Sequence, residues 1–205
     1  MGAVVSLDGL LDQQRVWKGR PQAQPQGLQP TGHAALDSAL PGGGWPPGAL
    51  TELLLAAEGC GELQLLWPSL ARLTASAQPV VLIAPPFIPY APAWQAAGVD
   101  LQWLTLVETA PAEVLWAAEQ CLRSGSCGAV LCWPQKADDR ALRRLQVAAE
   151  SGQSLAFALR PLQAALNPSP AALRIAIDAR PSQWRVLKCR GGLAPVRPIA
   201  CPGRG

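Results

Sequence analysis

The chain offers few side chains for catalysis, and the first of them is its single histidine, His33. A Ser-His-Asp arrangement would need His33 as its base, but this residue stands in a stretch where a turn is expected. The neighbouring carboxylates Asp138 and Asp139 are typical of a helix cap. Glu113 and Glu119 are expected on the solvated face of a helix. No catalytic residue is therefore predicted.

Six cysteines could bind zinc or form disulfides, and they stand at positions 60, 121, 127, 132, 189 and 201. No Cys-x-x-Cys pair occurs, and the cysteines at 121, 127 and 132 have neither the spacing of a zinc site nor a nearby histidine. No secretory signal is visible at the N-terminus. We therefore expect free thiols in a cytoplasmic protein, without a structural metal.

The most specific pattern combines Thr-Gly, Leu-Asp, Gly-Gly, Pro-x-Gly and a final glutamate. Its residues are Thr31, Gly32, Leu36, Asp37, Leu40, Gly43, Gly44, Pro46, Gly48 and Glu52. In this order and spacing they resemble the segment that precedes the phosphate-binding loop in RecA-type ATPases. The resemblance implies a RecA-like core, and it continues weakly to about Gly192.

The resemblance places a phosphate-binding loop of pattern GxxxxGK[ST] directly after this segment. In such a loop the backbone N–H groups hold the phosphates, the lysine contacts the β- and γ-phosphates, and the hydroxyl holds the metal ion. Here Ala56 replaces the first glycine, only Gly61 is kept, and Glu62 and Leu63 replace the lysine and the hydroxyl residue. Because Glu62 repels a triphosphate, nucleotide binding is not expected.

A second part of the nucleotide site is also changed. The resemblance implies an acidic residue at the end of the fourth strand, where it would hold the metal-bound water, but Cys132 and Trp133 stand there. No glutamate suited to catalysis is evident after the loop. We therefore predict that the chain is not an enzyme and has no nucleotide cofactor and no metal. A phosphate site of unusual type is the alternative.

The net charge of +3 hides an asymmetry along the chain. Residues 1–20 have a net charge of +1, residues 21–120 of −7 and residues 121–205 of +9. A basic C-terminal part is typical of a protein that binds nucleic acid or an acidic protein surface, and arginine used for solubility is the alternative. No run of about 18 apolar residues occurs, so no membrane span is expected.

Apolar runs alternate with helical patterns, which predicts an α/β fold with a mainly parallel, doubly wound sheet. The predicted strands are 50–55, 80–84, 101–107, 129–133 and 155–159, and the predicted helices are 34–40, 63–74, 92–97, 109–123 and 138–149. A C-terminal antiparallel hairpin is expected from strands at 173–179 and 184–189. The predicted organisation is a leader helix and linker at 1–30, a RecA-like core domain at 31–192 and a flexible tail at 193–205.

Three stretches are candidate contact surfaces. The leader could form an amphipathic helix that docks on its own domain or on a partner, through Leu10, Leu11, Val16 and Trp17. The proline-rich loop after the second strand offers Phe87 and Tyr90, which could instead cover the sheet edge. The hairpin is basic and could contact nucleic acid or an acidic partner, through Arg174, Arg180, Arg185, Lys188 and Arg190.

Nearly the whole chain resembles the ImuA family of translesion DNA synthesis-associated proteins. The resemblance rests on the segment from Thr31 to Gly48, the run Pro85–Pro92, the leader from Leu10 to Arg20, and the C-terminal strands that end in Lys188–Gly192. The SulA family of cell-division inhibitors is also similar in shorter runs, such as Val81–Pro86.

The ImuA resemblance implies a non-catalytic adaptor in SOS-induced translesion DNA synthesis. Its implied partners are the RecA recombinase, the polymerase-like protein ImuB and, through that complex, an error-prone replicative-type polymerase. It would mimic a RecA protomer and regulate or recruit the mutagenic polymerase, in the cytoplasm at the nucleoid. DNA and a second copy of the chain are further expected partners. The SulA resemblance implies instead that the chain binds the tubulin-like division protein.

Overall fold

The structure is a computed structural model that describes residues 29–201. The strands in chain order are β1 (Leu50–Leu55), β2 (Val80–Ile83), β3 (Leu104–Val107), β4 (Ala129–Cys132), β5 (Leu155–Pro161), β6 (Leu173–Ala179), β7 (Ser182–Cys189) and β8 (Ile199–Ala200). The helices are α1 (Ala34–Ala39), α2 (Glu62–Ala75), α3 (Ala91–Ala96), α4 (Val114–Arg123) and α5 (Asp139–Gly152), with short 3₁₀ turns at Leu101–Trp103 and Leu162–Leu166.

All eight strands form one sheet in the order β3-β2-β4-β5-β1-β6-β7-β8. The first six strands of this order run parallel, whereas β7 is antiparallel to β6 and β8 is antiparallel to β7. The predicted α/β class, with a mainly parallel sheet and a C-terminal antiparallel hairpin, is therefore confirmed.

Helices cover both faces of the sheet. Leu66 of α2 and Trp94 of α3 belong to the core on one face, while Leu122 of α4 and Leu145 of α5 belong to the core on the other. Every residue of β1 is buried, because this central strand has neighbours on both sides and a layer of chain over each face. None of the described helices combines the length and apolar character needed to cross a membrane.

The helix α5 follows the predicted pattern closely. The Asp138 carboxylate accepts a hydrogen bond from the Ala141 N–H at 2.7 Å, as expected of an N-cap residue. Leu142, Leu145 and Ala149 are buried on one side of the helix, and its arginines are exposed on the other. The helix α4 differs from its prediction because residues 109–110 are irregular and residues 111–113 form a turn, so that the helix begins at Val114 with Glu113 as its N-cap residue.

A cluster of three buried charges lies on the central strands. Glu52 of β1 is fully buried, and its Oε1 lies 2.5 Å from Nη1 of Arg160 on β5. Its Oε2 lies 2.8 Å from Nε of Arg174 on β6. Arg160 also donates to the carbonyl of Ala137, and Arg174 donates to the carbonyl of Ala164, each at 2.8 Å. The cluster therefore fixes the chain after β4 and the chain after β5 to the middle of the sheet.

The last described residues add a short strand to the hairpin. Ile199 pairs with Trp184, and Ala200 pairs with Gln183. The segment predicted as a tail from residue 193 therefore contributes to the sheet edge through β8.

Candidate functional site

Hydrogen bonds between side chains and backbone stabilise the segment before β1. The Asp37 carboxylate accepts a hydrogen bond from the Thr31 N–H at 2.8 Å, and the Thr31 hydroxyl accepts one from the His33 N–H at 3.1 Å. Gly44 lies so close to the chain at Gln29 that a Cβ would stand 2.2 Å from the Gln29 carbonyl oxygen. The Thr-Gly, Leu-Asp and Gly-Gly parts of the motif thus have direct structural roles.

Helix α2 holds this segment in place. Ser69 accepts a hydrogen bond from the Trp45 indole at 2.7 Å, and Arg72 donates to the Pro30 carbonyl at 2.9 Å. The His33 ring lies 3.2 Å from the Leu65 carbonyl oxygen. His33 was expected in a turn, but it is the N-cap residue of α1 and has an extended backbone. Sequence reasoning missed Ser69 and Arg72, although a serine among the apolar positions of a helix is a signal of a buried hydrogen bond.

The loop from Ala56 to Gly61 connects the carboxyl end of β1 to the amino end of α2. The strand, loop and helix therefore follow one another as in a phosphate-binding loop. Gly59 and Gly61 adopt positive φ angles of 72° and 107°, a region that suits glycine. Gly61 is the N-cap residue of α2, and no side chain caps the helix there.

The Glu62 carboxylate occupies the space in front of this loop. Its Oε1 accepts a hydrogen bond from the Gly59 N–H at 3.0 Å, and its Oε2 accepts one from the Gly61 N–H at 3.1 Å. The residue is only 6% exposed. A negative group at the amino end of a helix also interacts favourably with the helix dipole. The chain thus supplies an anion to the N–H groups that would otherwise be free to bind phosphate.

Two neighbouring positions, one in the loop and one in the first turn of α2, are also partly buried. Leu63, where a hydroxyl residue would hold the metal ion, is half-buried and packs against the core. Cys60 is also half-buried, and burial is the main reason that the pKa of its thiol is raised. Sequence reasoning identified the charge reversal at Glu62 but not that its carboxylate is hydrogen-bonded to the loop. That contact depends on the loop backbone.

The end of β4 holds no ionised group. Cys132 is fully buried, and desolvation raises the pKa of its thiol to about 12, so the thiol stays neutral at physiological pH. Trp133 is buried in the core on the opposite face. Within residues 29–201, no group of three or more His, Cys, Asp or Glu side chains is arranged to hold a metal ion.

The two aromatic candidates after β2 are accessible. Phe87 is 66% exposed and Tyr90 is 72% exposed, and Ile88 between them is exposed as well. The segment carries no charge from Ala84 to Gly98. Exposed aromatic side chains in an uncharged stretch are typical of a contact surface. Their contact with a partner stays a prediction, as do the leader contacts through Leu10, Leu11, Val16 and Trp17, which lie outside the described residues.

The hairpin candidates divide into one buried and four accessible residues. Arg174 was predicted on the binding surface, but it is buried against Glu52 because β6 lies inside the sheet and not at its edge. The Lys188 ammonium donates to the Ser169 carbonyl at 2.7 Å but stays exposed. Arg180 and Arg190 are also exposed, and Arg185 is partly so.

Arg185 is held by Asp178 across the hairpin. Its Nε and Nη2 donate to the two carboxylate oxygens at 2.7 and 2.9 Å. The hydrogen bond from Arg185 is the main reason that the pKa of Asp178 lies below its ordinary value. The paired guanidinium is therefore less available to an anionic partner than Lys188 or Arg190.

The Asp178–Arg185 pair is expected to contribute about 0.5–1 kcal/mol to stability at neutral pH, since it is partly exposed. Because the folded-state pKa of Asp178 is lowered, this contribution is complete above the unfolded-state pKa of about 3.9 and is lost as the pH falls through the folded-state pKa. Urea unfolding of the wild type and of Asp178→Asn across this range measures the difference. A difference that persists undiminished at the acid end would contradict this assignment.

Comparison with known proteins yields matches among solved structures alone. No protein-family model matches the sequence, and no curated protein matches it. Among the solved structures that match is SulA from Pseudomonas aeruginosa, which is 27% identical over 54% of this chain and 97% of that chain, with a TM-score of 0.46. A TM-score at this level does not establish a shared fold.

Proposed function

We propose that the chain is a non-catalytic, RecA-like adaptor in SOS-induced translesion DNA synthesis, of the ImuA type. It acts in the cytoplasm at the nucleoid and binds RecA and ImuB, through which it recruits or regulates the error-prone polymerase. The motif from Thr31 to Glu52 and the strand–loop–helix after it support the RecA-like part of this proposal.

One observation carries the non-catalytic part of the proposal. The Glu62 carboxylate accepts hydrogen bonds from the N–H groups of Gly59 and Gly61, the groups that would otherwise receive a phosphate. A nucleotide would have to displace this carboxylate and then stand beside its negative charge. The neutral, buried end of β4 offers no ligand for the magnesium ion that accompanies a triphosphate.

Nucleotide binding provides the first test. Titration with a fluorescent ATP analogue and magnesium is expected to show no saturable binding at micromolar concentrations, and ATP hydrolysis should stay at background. The same titration with RecA serves as the positive control. Saturable micromolar binding, or hydrolysis that is lost on mutation of the loop, would disprove the proposal.

Partner capture provides the second test. The purified full chain should retain RecA and ImuB but not the tubulin-like division protein, which the SulA resemblance implies instead. Replacing both Phe87 and Tyr90 by alanine is expected to weaken retention of at least one partner about tenfold, since aromatic anchors commonly dominate such contacts. Leu166→Ala, at another highly exposed apolar residue, is the control. Retention of the division protein alone would favour the division-inhibitor function.

A further inference from the structure

The outer surface of α4 and α5 carries an exposed tryptophan. Trp116 is 60% exposed, whereas every other tryptophan within residues 29–201 is buried or half-buried. It points away from the α4 residues that enter the core, such as Ala118 and Leu122. Packing of the described domain therefore does not account for this large aromatic side chain.

Arginines are present on both helices of this surface. Arg144 of α5 contacts Glu119 of α4, and this ion pair joins the two helices. Both helices return from the carboxyl end of a parallel strand, so they run in the same direction. One helical turn before the Glu119–Arg144 contact, α4 carries Trp116 and α5 carries Arg140, and both residues are exposed.

The positive charge of this surface is only partly balanced. Arg144 and Arg123 share the carboxylate of Glu119, and Arg143 pairs with Asp139, yet all three arginine side chains stay more than half exposed. Arg140 is exposed and forms no ion pair within the described part of the chain. The guanidinium groups therefore keep N–H donors that are accessible to solvent.

We propose that this surface, formed by Trp116, Arg123, Arg140, Arg143 and Arg144, binds single-stranded nucleic acid. An exposed indole on a surface that also carries cationic side chains is the combination that stacks a base and holds the adjoining phosphates. The basic residues of both helices are all arginines, whose planar donors match phosphate oxygens in pairs. This site goes beyond the adaptor function and is separate from the hairpin.

The test is fluorescence anisotropy with a fluorescein-labelled oligo-dT of about 20 nucleotides and the full-length protein. Trp116→Ala is expected to weaken binding about tenfold, while Trp116→Phe should stay near the wild type because it keeps an aromatic face. Arg140→Glu should weaken binding further and flatten its dependence on salt. Arg197→Glu, which makes the same charge change at an exposed residue away from these helices, should bind as the wild type does.

A second readout separates stacking from a change in folding. The oligo-dT should quench the tryptophan fluorescence of the wild type, and this quenching should be lost in Trp116→Phe although binding persists. Wild-type affinity in both Trp116→Ala and Arg140→Glu would overturn the proposal, as would the absence of binding at low salt. If an acidic peptide of equal charge competes and shows the same dependence on Trp116, the surface belongs to a protein partner and the proposal is wrong.

Discussion

Replacing Glu52 by glutamine is expected to lower the free energy of unfolding by about 3–5 kcal/mol, because it leaves two buried arginines without a counter-charge. Arg160 and Arg174 would keep their hydrogen bonds to the carbonyls of Ala137 and Ala164 but would face one another across a neutral amide. Since β1 is central, the effect should appear as a shift of the whole cooperative unfolding transition. Urea unfolding followed by circular dichroism measures it.

Two variants test the physical reason for this loss. Glu58→Gln makes the same chemical change at an exposed position and should alter stability by less than about 0.5 kcal/mol. The triple variant with Glu52→Leu, Arg160→Met and Arg174→Met removes all three charges and should recover much of the stability, as is known for other buried ion clusters. If Glu52→Gln and Glu58→Gln are equally stable, the charge of Glu52 contributes nothing to the free energy of unfolding, and the assignment is wrong.

Replacing Glu62 by alanine is expected to destabilise the fold by about 1–3 kcal/mol, because the N–H groups of Gly59 and Gly61 lose their acceptor. These groups lie at the amino end of α2, where an anion is favoured. Phosphate or sulfate should therefore raise the melting temperature of the variant more than that of the wild type. Thermal unfolding at constant ionic strength, with and without the anion, measures this gain.

Glu58 provides the matched control for this effect. It lies in the same loop and carries the same charge, but it is exposed and no hydrogen bond links its carboxylate to the loop N–H groups. Glu58→Ala should therefore leave the response to phosphate as it is in the wild type. If phosphate raises the melting temperature of both variants by the same amount, the effect comes from the removal of negative charge. It then does not come from loop N–H groups that have lost the Glu62 carboxylate.

Much of the fold could be predicted because its strands are short apolar runs. The run at 50–55 coincides with β1 and the run at 129–133 overlaps β4, since strands buried on both faces are mainly apolar, although β1 also buries Glu52. Helix starts were less certain. Thr109 and Pro111 favour a helix start, yet residues 111–113 form a turn and the helix begins at Val114. Local propensity could not reveal how the chain leaves β3.

The candidate site was predictable in its chemistry but not in its contacts. The substitution of Glu62 and Leu63 for the expected lysine and hydroxyl residue is visible in the sequence, and it directs attention to this loop. Whether Glu62 points to solvent or back to the loop depends on the glycine conformations. Arg174 shows the same limit, because its burial follows from the pairing of β6 with β1 and not from the residues around it.

The hydrogen bonds from the loop to Glu62 also bear on timing. A nucleotide-driven protein changes shape when its phosphate binds and leaves, and that cycle times its interactions with its partners. Here the group that fills the loop is covalently part of the chain, so it cannot be released or hydrolysed. The proposed adaptor would therefore have no nucleotide cycle of its own. Its influence on an assembly would be set by how many copies the cell makes and by how quickly they are removed.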